Sequence, residues 1–183
     1  DEDPEDYPKI ALAMLFSLRG SVCLYQGEEL GLPEAEVPFE RIQDPYGKVL
    51  WPEFKGRDGC RTPMPWDDSA QAGFSSVEPW LPVAPRHRDL AVSQQEAVSS
   101  STLNATRRLL AFRRRHAALF DGDLTLVDVG HDLLGFTRRH GDETLLCVFN
   151  LTGHEQQTNL PVTVSADLDG HDFTYQRDDD RLT

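Results

Sequence analysis

The sequence predicts an α/β segment followed by a small antiparallel all-β module. Three observations carry that expectation. An apolar helical stretch over residues 7–18 runs through Gly20 into a short continuous apolar run. Residues 26–99 lack regular periodicity yet hold all the tryptophans and many prolines. From about residue 119 onward, short apolar runs are separated by tight turns. With 183 residues the chain has room for one modest domain or for pieces of two.

The elements follow in order. Behind an acidic opening at 1–6, Asp3 is a candidate helix cap with Pro4 in the first turn. Tyr7 to Leu18 is apolar on nearly every side, so this helix needs cover on more than one face. Gly20 supplies the stop. Ser21-Val22-Cys23-Leu24-Tyr25 then reads as a strand buried on both faces, as in a parallel sheet. Helix, stop and buried strand make one step of a β/α layer, and one step cannot close a sheet. The 26–99 stretch is too long for an ordinary connection (typically about 4–6 residues) and too aromatic for disorder. It reads as an ordered loop region that shapes a site. Ser100 or Ser101 caps the next helix, whose apolar stripe is Leu103, Leu109, Leu110, Phe112 and Ala117. Its arginines (107, 108 and 113–115) read as a solvated or salt-bridged face suited to the helix dipole.

Beyond a boundary placed between 118 and 119, Leu124, Leu126 and Val129 form one strand and Leu133, Leu134 and Phe136 another. His140-Gly141-Asp142 turns the chain into a buried strand over 144–149. Residues 156–160 and 173–175 are candidate edge strands, and Asp178-Asp179-Asp180 a closing turn. There is no internal repeat.

Charge and cysteine content narrow the function classes. A net charge of -13 argues against nucleic acid as a partner, because phosphate binding needs a basic face. The three cysteines are widely spaced, which fits neither a metal knuckle nor a redox pair and favours a reducing, cytoplasmic compartment. Cys23 and Cys147, inside apolar runs, are expected to be buried. No stretch reads as a signal peptide or a membrane span, so no membrane partner is expected.

Two polar groups are candidates for chemistry. Glu28 and Glu29 leave the predicted strand at the edge where α/β sheets place their sites. Adjacent residues point in opposite directions, however, and glycoside cleavage needs two carboxyls flanking one bond about 5–5.5 Å apart or wider. A structural carboxylate accepting backbone N–H bonds is the favoured reading. The string Lys55-Gly56-Arg57-Asp58-Gly59-Cys60-Arg61-Thr62-Pro63-Met64-Pro65-Trp66 is the most informative cluster. Arg presents a planar fork that suits paired oxygens such as neighbouring sugar hydroxyls, and a loop-internal Arg–Asp pair is equally compatible with the composition. The six histidines are scattered, with no metal-ligand spacing, and no phosphate loop or nucleophile elbow is present. No metal and no cofactor are therefore expected. Sequons at Asn104 and Asn150 fall in or beside regular structure and read as chance matches.

The string Leu18-Arg19-Gly20-Ser21-Val22-Cys23-Leu24-Tyr25-Gln26-Gly27-Glu28-Glu29-Leu30-Gly31 closely resembles the eighth barrel strand of the alpha-amylase superfamily, glycoside hydrolase family 13. Gly56 to Asp67 is similar to the following loop in its α-glucosidase and oligo-1,6-glucosidase branch, and Ala72-Gly73-Phe74 with Glu78-Pro79-Trp80 continues the match. Arg107 to Arg113 resembles the eighth barrel helix, and the module from Leu119 the family's C-terminal sandwich. The resemblance implies that 1–118 is the end of a TIM-type (β/α)8 barrel (helix 7, strand 8, long loop, helix 8). Residues 119–183 would then be a truncated antiparallel β-sandwich. It also implies a retaining mechanism whose Asp nucleophile, Glu acid/base and second Asp come from earlier strands. No catalytic residue is therefore expected in this chain, and alone it should be inactive. Arg57 matches the family position that hydrogen-bonds the non-reducing-end glucose. Asp58 is then expected to hold the Arg57 guanidinium, with Gln26 and Glu28 as structural supports.

The expected activity of the parent protein is hydrolysis of α-glucosidic bonds in short oligosaccharides of the maltose, isomaltose or sucrose class. The first alternative is a transglycosylating relative of the sucrose isomerase type. The second is a non-catalytic carbohydrate-binding or scaffold protein, which the three tryptophans could serve by stacking. The apolar flanks of the first helix and strand call for a partner, either the remainder of the barrel or a second copy.

Overall fold

The computed structural model describes residues 7–171, 173–178 and 181–183. The expected Asp3 cap, the Pro4 first turn and the Asp179-Asp180 part of the closing turn lie outside the described residues. In chain order the helices are α1 (Tyr7–Ser17), α2 (Pro45–Leu50), α3 (Pro85–Asp89), α4 (Val92–Glu96), α5 (Thr102–Arg115) and α6 (Ala117–Asp121). The strands are β1 (Asp123–Val127), β2 (Leu133–His140), β3 (Glu143–Asn150), β4 (Thr158–Asn159), β5 (Arg177–Asp178) and β6 (Arg181–Leu182). Single 3₁₀ turns occur at Glu28–Leu30, Phe39–Arg41 and Asp58–Cys60. Two compact units emerge: Asp1–Cys23 with Ala105–Thr183, and Leu24–Asn104. The boundary expected from sequence, between 118 and 119, falls inside α6.

In the first unit, β1, β2 and β3 form an antiparallel meander in that order. The β2–β3 register pairs Phe136 with Cys147 and His140 with Glu143, which leaves Gly141-Asp142 as a two-residue hairpin loop. Gly141 has φ +58°, as a primed turn requires. Phe136 and Arg138 share the inner face of β2, both fully buried. Phe136 stacks on Phe149 with ring centroids 5.8 Å apart. Val129 lies beyond β1 rather than within it, yet is buried. Gly135 makes room for it, since a Cβ there would sit 2.6 Å from both Val129 methyl carbons. Glu143 ties β3 to α6: one oxygen accepts from the Ala118 N–H at 2.8 Å and the other faces His116 Nδ1 at 2.7 Å. Burial pushes the Glu143 carboxyl up, but the Ala118 and His116 bonds outweigh it and hold it below the usual carboxylate range. A second small sheet runs β4-β6-β5. Of the expected edge strands only Thr158–Asn159 forms; 173–175 is in no ladder.

Helix α1 ends as expected near Gly20, whose φ is +103°. Its terminal carbonyls are capped by arginine, and here the structure departs from the sequence reading. Arg113 is buried instead of solvated. Its guanidinium donates to the Phe16 carbonyl, to Leu18 O at 3.2 Å and to Gly20 O at 2.9 Å. Arg138 donates to Ser17 O and to Gly122 O at 2.9 Å. Positive charge at a helix C-terminus opposes the negative end of the dipole, and the fork satisfies several orphan carbonyls at once. The amphipathic pattern of α5 could not reveal this because Arg113 falls among five arginines.

A second correction concerns Ser21–Tyr25. This segment is not in a ladder, and Cys23 is exposed rather than buried. A buried parallel strand exists only where neighbours supply hydrogen bonds on both sides, and no described residue pairs with this one. Cys147 is half-buried, and burial pushes its thiol up to about 11. Among the described residues no helix is long and apolar enough to cross a membrane.

Candidate functional site

The second unit begins with a tight exit turn. Gly27 (φ +98°) and Gly31 (φ +67°) bracket the 3₁₀ turn at Glu28–Leu30, positions where left-handed backbone requires glycine. Glu28 Oε2 accepts from the Tyr25 N–H at 3.0 Å, and Glu29 Oε2 from the Gly27 N–H at 2.8 Å. Each carboxylate folds back onto the backbone of its own turn. Gln26 Nε2 donates to the Thr62 carbonyl at 3.2 Å, tying the exit turn to the loop string. Beneath them Leu30, Met64 and Leu103 form a core with Leu32 and Val92 against it.

The loop string is held by two buried carboxylates. Asp44 caps α2: its Oδ1 accepts from Tyr46 N–H at 2.9 Å and Gly47 N–H at 3.4 Å, with Pro45 leading the helix. Its Oδ2 accepts from the Arg57 N–H at 3.1 Å and from Arg61 Nη1 at 3.4 Å. Burial pushes the Asp44 carboxyl up, but the bonds from Arg57, Gly47 and Tyr46 and the Arg61 charge hold it below the usual range. Asp58 is 2% exposed. Its Oδ2 accepts from Gln43 N–H at 2.6 Å and Asp44 N–H at 2.8 Å, while Oδ1 lies 3.9 Å from Arg61 Nη1. The expectation that Asp58 holds the Arg57 guanidinium is therefore corrected. Asp58 is turned inward to unpaired backbone donors, and Arg61, one 3₁₀ turn further on, is its cationic neighbour. Arg57 itself is exposed, its side chain outside the ion pairs formed by the described residues.

Two supporting residues escaped the sequence reading. His87 is buried, with Nε2 2.8 Å from the Pro33 carbonyl and Nδ1 3.3 Å from Thr62 Oγ1. A carbonyl only accepts, so Nε2 carries the proton and, in the neutral ring, Nδ1 accepts from the Thr62 hydroxyl. Gln95 is also buried. Its Nε2 donates to Leu30 O and Leu90 O, both at 2.9 Å, and its Oε1 accepts from the Leu103 N–H at 2.9 Å. Asn104 donates to the carbonyls of Gln95, Glu96 and Val98, so its amide is engaged in folding. Neither His87 nor Gln95 belongs to a periodic pattern, and no short-range signal marks them.

The family model described as "Alpha amylase, catalytic domain" matches residues 3–122. The chain belongs to the alpha-amylase family. Within it, a probable alpha-glucosidase of Rhizobium meliloti (strain 1021) is 47% identical over 93% of this chain and 31% of its own length. An oligo-1,6-glucosidase of Parageobacillus thermoglucosidasius is 30% identical over 84% of this chain and 31% of its own length. Among solved structures, an alpha-glucosyl transfer enzyme, XgtA, superposes with a TM-score of 0.93 at 46% identity, covering 98% of this chain and 34% of that one. A mutant isomaltulose synthase from Erwinia rhapontici NX5, in complex with its natural substrate sucrose, gives a TM-score of 0.80 at 25% identity over 100% of this chain and 37% of that one. The chain thus spans about a third of the length of these alpha-amylase family relatives. The family match takes in the exit turn, the carboxylate-held loop and α5 together.

Proposed function

We propose that the protein carrying this chain cleaves α-glucosidic bonds of short oligosaccharides with retention of configuration, releasing glucose. Membership of the alpha-amylase family, together with an exposed Arg57 on a loop pinned by buried carboxylates, supports this reading. In it, α1, Ser21–Tyr25 and α5 are the last βα step of a (β/α)8 barrel, residues 119–183 belong to the C-terminal β-sandwich, and the catalytic carboxylates lie outside this chain. Arg57 binds the non-reducing-end glucose through its planar fork. The carboxylates of Glu28 and Glu29, each bonded back to the backbone of its own turn, agree with a supporting role for that turn. A cytoplasmic location is proposed with it, resting on three free cysteines at wide spacing.

A second reading has the glucosyl group pass to a sugar instead of water. It is favoured by the likeness to an alpha-glucosyl transfer enzyme at 46% identity. The test is turnover of maltose, isomaltose and sucrose by the gene product, with products and anomers followed by NMR. Free α-glucose supports hydrolysis; new disaccharides favour transfer. No turnover of any of the three contradicts both. Loss of all turnover in Glu28→Gln would overturn the placing of the catalytic carboxylates outside this chain.

A further inference from the structure

We infer that Asp44 is the positioning residue for Arg57: it fixes the peptide from which the sugar-binding guanidinium departs. The inference rests on the reading of Arg57 as a substrate contact. Asp44 and Arg57 are the two sides of a closed neck. Asp44 Oδ2 takes the Arg57 N–H at 3.1 Å, while Asp58, next to Arg57, takes the Asp44 N–H at 2.8 Å. Each side therefore holds the other's backbone through a buried carboxylate, and Arg61 reaches both carboxylates, at 3.4 Å and 3.9 Å.

The neck also has no slack. A Cβ on Gly47 would lie 2.6 Å from the Lys55 carbonyl oxygen, and one on Gly56 would lie 2.8 Å from Asp44 Cβ. Gly56 holds φ +80°, a conformation that glycine adopts freely. Residues 45–56 hang from this neck as a loop, and Arg57 is the first residue beyond it. Its peptide plane is set by the bond to Asp44, and its long side chain magnifies any tilt of that plane. Misplacement of a binding group by about 1 Å can cost as much as 100-fold in rate.

Asp44 also caps α2, so the experiment must separate the cap from the positioning. Asp44→Asn retains an amide oxygen for the Tyr46 and Gly47 donors but turns an NH2 group toward the Arg57 N–H. The measurement is kcat and KM on p-nitrophenyl α-glucoside, with the protein as its gene encodes it, for wild type, D44N, R57A and the double variant. Acting through Arg57, D44N raises KM by about 10-fold in the wild-type background and by less than about 2-fold in R57A. An equal change in both backgrounds, or none where R57A has a large one, overturns the inference. If R57A itself leaves kcat and KM unchanged, the reading of Arg57 fails first and the inference goes with it. Should D44N not fold, Arg61→Gln removes the bridging guanidinium and leaves the backbone bonds. It should raise KM by about 2–5-fold, again only when Arg57 is present. An effect independent of Arg57 overturns the inference there too.

Discussion

The two compact units solve one problem with opposite charges. In the first, the guanidiniums of Arg113 and Arg138 donate to backbone carbonyls at the end of α1, Arg138 reaching Gly122 O as well. In the second, the carboxylates of Asp44 and Asp58 accept from backbone N–H groups at the neck of a loop. Both devices serve segments whose backbone groups have no ladder or helix partner, where an unmet buried polar group is costly. The difference lies in compensation. The carboxylates share an exposed counter-ion in Arg61. Burial lowers the proton affinity of both arginines, Arg113 adds to the lowering at Arg138, and both rely on carbonyl dipoles. Side-chain charge can therefore organise irregular backbone in either sign, but with different vulnerabilities to truncation and to pH.

The largest break should come from Arg138→Ala. It empties a fully buried side chain and strands the Ser17 and Gly122 carbonyls, so urea unfolding should show a loss of about 3–5 kcal/mol. Asp58→Ala leaves the Gln43 and Asp44 N–H groups unmet, and the same measurement should register about 2–4 kcal/mol. Arg138→Met and Asp58→Asn sharpen the contrast, since each keeps volume and removes charge. If charge itself is needed, both should remain clearly destabilised; a neutral Arg138→Met would show that packing outweighs the capping.

The pH response distinguishes the units next. Asp44 and Glu143 are held below their ordinary values, 3.8 and 4.5. Each depressed carboxyl contributes stability that is present above its ordinary value and lost as pH falls through the folded one. Both units should therefore weaken in acid. Cys147 moves the other way, from 9.0 up to about 11, so its contribution is present below 9.0 and lost as pH rises toward 11. A thermal melt across pH 8–11 should fall by the equivalent of about 2–3 kcal/mol, and Cys147→Ala should flatten that limb. The smallest expected effect is at Asn104, whose replacement by Ala should cost about 1–2 kcal/mol despite three hydrogen bonds, because two of them are exposed.

Periodic segments were legible wherever the chain supplies its own partner. The apolar run of α1, the Ser101 cap of α5 (which accepts the Asn104 N–H at 3.2 Å) and the β2–β3 hairpin all follow from spacing and turn chemistry. Ser21–Tyr25 has the composition of a strand, but composition cannot provide the neighbours that make one. Val129 misled for a related reason, since its apolar character grouped it with Leu124 and Leu126 in β1 while Gly135 offers it a pocket outside the strand. At the candidate site, Arg57 and Asp58 stood out as a charged string, yet their partners did not. Asp44 lies 13 residues before Arg57 and reaches it only through its carboxylate. His87 and Gln95 act over 54 and 65 residues respectively. Long-range polar staples have no period, so they leave no trace in a linear pattern.

The most direct test of the account is the kinetics of Arg57→Ala in the gene product, on maltose and sucrose, alongside its melting temperature. Arg57 is exposed and contributes only its backbone to the neck, so the melting temperature should stay within about 2 °C of wild type. The account predicts that kcat/KM falls by about 100-fold or more on both sugars. Unchanged kcat/KM with an unchanged melting temperature would contradict it, and would leave the clamped loop as scaffolding alone.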